Sequence, residues 1–206
     1  MVESRMQHIV TSARGLFLRY GFRRTTMGDI AVAAGISRPA LYLVFSSKEE
    51  VFDAVLADVL HAQLETIRAG LDRYPTAMEQ LQFACEIWVV QAWQLVQSSP
   101  DARDMFESPS IQQRPVVIRA KAAFEDIVTD VLASQLVDDP ARRCSAARDA
   151  AQVLAAAMPG LKREAASIEE LRRLIGNLLQ LVLAGIAVQP PYAPAPVILS
   201  TSEGSV

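Results

Sequence analysis

The sequence predicts an all-α protein, and three observations carry that prediction. Hydrophobic residues make up 51% of the 206 and aromatic residues only 6%, and nine glycines are too few for a turn-rich sheet protein. Apolar residues recur at helical spacing, with no strand-like alternation and no Asn-Gly hairpin signal between segments. Pro75, Pro100, Pro109, Pro115, Pro140 and Pro159 then cut the chain beyond residue 75 into stretches of helical length. About nine helices are expected. They divide into an amino-terminal three-helix domain and a larger helical domain.

Residues 5–20 place Ile9, Val10, Ala13, Leu16, Phe17 and Tyr20 on one stripe, with Arg5, Arg14 and Arg19 off it, which predicts an amphipathic first helix ended by Gly21 at positive φ. Thr26 caps a second helix beginning near Met27, with Asp29 three residues on as the partner of a variant capping box. Ile30, Ala31 and Ala34 face inward, and Gly35 stops this helix. Ser37 caps a third helix running through Phe45, and Pro39 falls in its first turn, where a missing N–H costs nothing. Ser46-Ser47 followed by Glu49-Glu50 opens a fourth helix that runs toward Leu71. Further helices are predicted over roughly 76–98, 101–107, 115–137, 141–158 and 168–188. The domain boundaries are set at 1–47, 48–189 and 190–206, the last a Pro-rich tail.

Charge is uneven. Residues 1–48 hold seven basic side chains against two acidic ones, a local +5 in a chain of net −3, so the remainder carries −8. A basic head on an acidic body fits a polyanion at one end. Two short helices joined by a glycine turn and preceded by an amphipathic helix make a helix-turn-helix. Ala31 is small where the helices cross, and Ile30, Ala34, Ile36, Leu41 and Val44 form the miniature core that fixes their angle.

The stretch from Thr25 to Val55, TTMGDIAVAAGISRPALYLVFSSKEEVFDAV, together with Phe17 and Tyr20-Gly21-Phe22, resembles the DNA-binding domain of TetR/AcrR-type transcriptional regulators. The resemblance covers about the first 55 residues closely and the rest only in length and helical content. It implies a homodimer whose carboxy-terminal domain binds a small molecule that releases the protein from its operator. On the residues themselves, the outward face of the third helix offers Arg38, Pro39, Ala40, Tyr42 and Leu43 to the major groove. Arg38 can pair with a guanine edge, whereas Pro39, Ala40 and Leu43 offer apolar contact to thymine methyls. Thr26 and Ser37 sit at helix N-termini that suit a phosphate, and Tyr42 and Lys48 resemble the family's phosphate contacts. Val44 stands where many relatives carry a histidine or tyrosine, and Leu43 where a polar or aromatic residue is common. Fewer phosphate contacts are expected there, with Arg5, Arg23 and Arg24 as possible substitutes.

Residues 76–98 are apolar nearly all round, which predicts a buried helix. Glu86 interrupts it and must find a partner or line a cavity. Phe83, Glu86, Trp88, Trp93, Met105, Phe106 and Phe124 are the candidate walls of a partly apolar effector pocket. Segments 141–158 and 168–188 supply an Ala-rich and a Leu-rich surface from which two subunits can build a four-helix dimer interface.

Other classes find little support. His8 and His61 have no nucleophile motif or metal-ligand partner nearby, and no GxGxxG or P-loop occurs, so neither enzyme, cofactor nor metal site is expected. Cys85 and Cys144 form no framework or zinc pattern, which fits a reducing cytoplasm. Residues 1–10 lack the apolar core of a signal peptide, and Leu178–Val188 is too short to span a bilayer. The remaining alternative is a helical ligand-binding or interaction protein with weak or lost DNA binding.

Overall fold

The computed structural model describes residues 2–97, 109–136 and 140–188. The expected helix over 101–107, the tail 190–206, and the pocket candidates Met105 and Phe106 lie outside the described residues. Those residues contain helices and no strand. The elements are α1 (Val2–Arg24), α2 (Met27–Ala33), α3 (Arg38–Tyr42), α4 (Lys48–Gly70), α5 (Ala77–Cys85), α6 (Gln91–Gln97), α7 (Pro109–Gln112), α8 (Pro115–Ala133), α9 (Pro140–Glu164) and α10 (Ile168–Val188).

Two hydrophobic clusters organise the molecule, and α4 belongs to both. Val51, Phe52, Val55 and Leu56 join Ile9, Phe17, Ile30 and Leu41 in the amino-terminal core. Leu64 and Ile67 join the body core, and Leu60 packs against both. In the body, α5 and α6 form one rod that contacts α4, α8 and α10, while α9 packs on α8 and α10.

Four expectations need correction. Gly21 does take positive φ (75°), but it kinks α1 rather than ending it, and a last turn continues to Arg24. Tyr20 is therefore at the rim, 44% exposed beneath the Arg19 guanidinium, and not in the core stripe. The rod over 76–98 is not uniform, because Glu86–Val90 forms a π turn between α5 and α6. Finally, α9 passes through Pro159 to Glu164 instead of stopping before it. A proline inside a helix costs about 3 kcal/mol. Here Ala147, Ala151, Leu154 and Met158 bury one face of α9, and the Trp93 indole N–H donates to the Lys162 carbonyl at 3.2 Å, holding the turn beyond the proline.

Candidate nucleic-acid interface and ligand cavity

The amino-terminal site is built from caps. The Thr26 hydroxyl accepts from the Asp29 N–H at 3.2 Å, and the Asp29 carboxylate accepts from the Thr26 N–H at 2.9 Å and its hydroxyl at 2.7 Å, completing the capping box. These bonds hold the Asp29 carboxyl below its ordinary range, the Thr26 side chain contributing most. At the other end of α2 the Ile36 N–H donates to the Ala31 carbonyl and the Gly35 N–H to that of Val32, each at 3.0 Å. This is a Schellman closure, and it requires the left-handed conformation that Gly35 adopts (φ 61°). The chain is thereby aimed so that Ser37 caps α3, accepting from the Ala40 N–H at 3.3 Å.

The result is a short helix with Leu41 fully buried and Arg38, Pro39, Tyr42 and Leu43 exposed. Ala40 is half-buried on the same side, Thr26 and Ser37 are exposed at their helix starts, and Leu43 is 87% exposed. The Arg38 guanidinium lies 5.8 Å from the Tyr42 ring centre. Lys48 is placed differently from a free phosphate contact. Its ammonium donates to the Phe22 carbonyl at 2.8 Å and sits 4.4 Å from the centre of the Phe22 ring, so it fastens the end of α1 to the start of α4.

The body holds a cavity of about 360 Å³ against α4, whose Leu56, Leu60 and Gln63 form one wall. Trp88 of the π turn and Trp93 of α6 form another, and Val117 and Lys121 of α8, with Lys162 of α9, close it. An adjoining recess of about 270 Å³ shares Trp88, Lys121 and Lys162 and continues along Phe124. Trp88 and Phe124 stack nearly parallel, 4.9 Å apart and 8° from coplanar. The Ile87 carbonyl, within the π turn, accepts from the Gln63 side chain at 3.2 Å, so an irregular turn of the rod is joined to α4 beside the cavity.

Of the residues expected to line a pocket, the structure brings Trp88, Trp93 and Phe124 together. Phe83 stands apart, stacked on Tyr74 at 4.8 Å beneath the end of α4. Glu86 has found a partner: Arg172 of α10 grips both its oxygens at 2.9 and 2.6 Å, in a separate recess. Cys85 lies behind it, and burial pushes its thiol up to about 12. The α4 wall and Lys121 were missed by sequence reasoning. A lysine four residues after Val117, on the stripe of α8 that is otherwise apolar, was the available signal. Among the described residues no cluster of three His, Cys, Asp or Glu side chains could hold a metal ion, and no helix is long and apolar enough to cross a membrane.

The cavity also touches the other domain. Ile111 and Val117 line it and are counted among the amino-terminal core residues. Between them Arg114 pairs with Asp53 of α4 and lies 5.1 Å from the Phe52 ring centre.

Comparison with known proteins finds a family match at the amino-terminal end of the chain. Residues 9–55 match the family model for bacterial regulatory proteins of the tetR family. The transcriptional repressor KstR2 of Mycobacterium tuberculosis is 37% identical over 81 residues, 39% of this chain and 40% of the relative. The transcriptional activator FasR of Mycolicibacterium smegmatis is 28% identical over 133 residues, 63% of this chain and 59% of the relative. The chain thus spans less than two thirds of the length of these curated relatives. A transcriptional regulator structure from Saccharomonospora viridis, solved in complex with choline, has the same fold, with a TM-score of 0.60 at 18% identity over 87% of this chain and 97% of that one. Through residues 9–55, this chain carries the amino-terminal domain of the tetR family of bacterial regulatory proteins.

Proposed function

We propose that this protein is a sequence-specific, DNA-binding transcriptional regulator of the cytoplasm. It acts as a homodimer on a palindromic operator and is released by a small-molecule effector, as a repressor. The observation that carries the reading is α4, one helix that begins beside the reading head, packs in its core, and then walls the cavity. A ligand that spreads α4 from α8 would strain the Arg114–Asp53 pair and the Ile111 and Val117 contacts, and so shift the two reading heads of the dimer. Thr26, Ser37, Tyr42 and Lys48 would position the backbone, and Arg38, Pro39, Ala40 and Leu43 would meet base edges. The relatives bear names of both signs, repressor and activator. Release by a ligand favours repression.

Selection of bound duplexes from a random pool, followed by titration of the best site at several salt concentrations, tests this. A palindromic site whose affinity falls steeply with salt is the expected result. No enrichment from a folded dimer would favour the second reading, a helical ligand-binding protein, to which the apolar Leu43 and the already engaged Lys48 lend weight.

A further inference from the structure

We propose that the effector is an amphipathic organic anion, an apolar body ending in a carboxylate or phosphate group that Lys121 holds at the junction of the two recesses. This rests on the reading of the cavity as the effector site and adds its chemistry. The walls from α4 and α8 are apolar apart from Gln63 and Lys121, and the Trp88–Phe124 stack provides a flat aromatic floor beside the place where both recesses meet. Lys121 and Lys162 line both recesses, and among the described residues the main cavity is lined by no carboxylate.

The nearby acids are engaged elsewhere: Asp53 with Arg114, Asp126 with Arg148, and Glu86 with Arg172. Glu125 lines only the adjoining recess, and Lys121 makes no ion pair or hydrogen bond among the described residues. The Lys121 side chain is half-buried, and it lines both recesses. An anionic ligand gains charge-assisted hydrogen bonds from this ammonium, whereas a cationic one meets like-charge repulsion.

The chain's two tryptophans, Trp88 and Trp93, both line the cavity, so intrinsic fluorescence reports occupancy. The full-length protein is titrated with decanoate, decyl phosphate, decanol and decyltrimethylammonium, each below its micellar concentration. The anions are expected to bind roughly tenfold tighter than decanol, and the cation weakest. The better of decanoate and decyl phosphate identifies the head group. Lys121→Gln should erase the advantage of the anions over decanol, read as the ratio of the two affinities within the variant, and Lys121→Arg should keep it. Equal affinities, a preference for the cation, an unaltered advantage in Lys121→Gln, or no fluorescence response to any probe would overturn the proposal. The two failures separate, because the regulator reading fails in the DNA selection, and the anionic class fails in fluorescence while operator binding stands.

Discussion

Arg38 and Thr26 sit twelve residues apart, both exposed at the start of a short helix, but do different work, and substitutions separate the two. Arg38 is the strong hydrogen-bonding side chain on the outward face of α3, and its stack on Tyr42 limits the directions it samples. Arg38→Ala should cost about 1–3 kcal/mol at one base pair of the selected site and leave the other positions unchanged, read by competition among single-base variants. Unchanged preference would remove Arg38 as a base reader. Thr26 contributes to stability as well as to any phosphate contact. Thr26→Ala should lower unfolding stability by about 1 kcal/mol near neutral pH. Its pH dependence follows from Asp29, whose carboxyl is held below its ordinary value by the Thr26 hydroxyl first and the Thr26 N–H second. A depressed folded value means stabilisation that is present above the ordinary carboxylate range and lost as pH falls through the lowered one. Urea unfolding across pH should therefore show the native and Thr26→Ala proteins converging as the pH falls.

At the scale of elements, the end of α4 is fixed by a contact that leaves no room for a side chain. A Cβ added at Gly70 would lie 2.5 Å from the Phe83 ring, and that ring is itself stacked on Tyr74. Gly70→Ala should gain helix propensity yet lose about 1–3 kcal/mol net through overpacking, and Phe83→Leu should recover part of the loss. Additive effects in a double-mutant unfolding cycle would show that the two positions do not meet. This role for Phe83 explains why sequence reasoning assigned it to a pocket: an aromatic on an apolar helix looks alike whether it walls a cavity or wedges a helix end. The legible parts of the fold were those decided within a few residues. Thr26 with Asp29, the turn at Gly35, and Ser37 at the start of α3 are local solutions to unpaired backbone groups, and sequence alone carries them. The π turn at Glu86–Val90 and the passage of α9 through Pro159 depend on partners far along the chain, Gln63 for the one and Trp93 for the other. Lys121 was visible as a break in the stripe of α8, but only the meeting of α4, α8 and α9 gives that break a chemical setting.

For the whole molecule, the reading head is too small to act alone. α3 spans Arg38–Tyr42, and a single such helix presents too little surface for operator-strength binding, so the regulator reading requires a second copy. The body offers a surface for it. On α10, Leu171, Ile175 and Leu179 are buried in the core, while the next stripe, Leu174, Leu178 and Leu181, remains half-buried or exposed, Leu181 by 72%. Val153 on the adjoining α9 is 60% exposed. A helix that is apolar on two faces has satisfied only one of them within its own subunit. Because Leu181 contributes little to the subunit's own core, Leu181→Glu should leave the monomer folded while setting a charge on the apolar α10 stripe proposed as the interface. Sedimentation should then report a monomer whose thermal unfolding remains cooperative. Binding to a palindromic site should fall by about 100-fold or more, since each half-site must be occupied without help from its neighbour. A dimeric Leu181→Glu protein with native operator affinity would move the interface away from α10. A monomeric variant with undiminished affinity would refute the dimeric mode of binding.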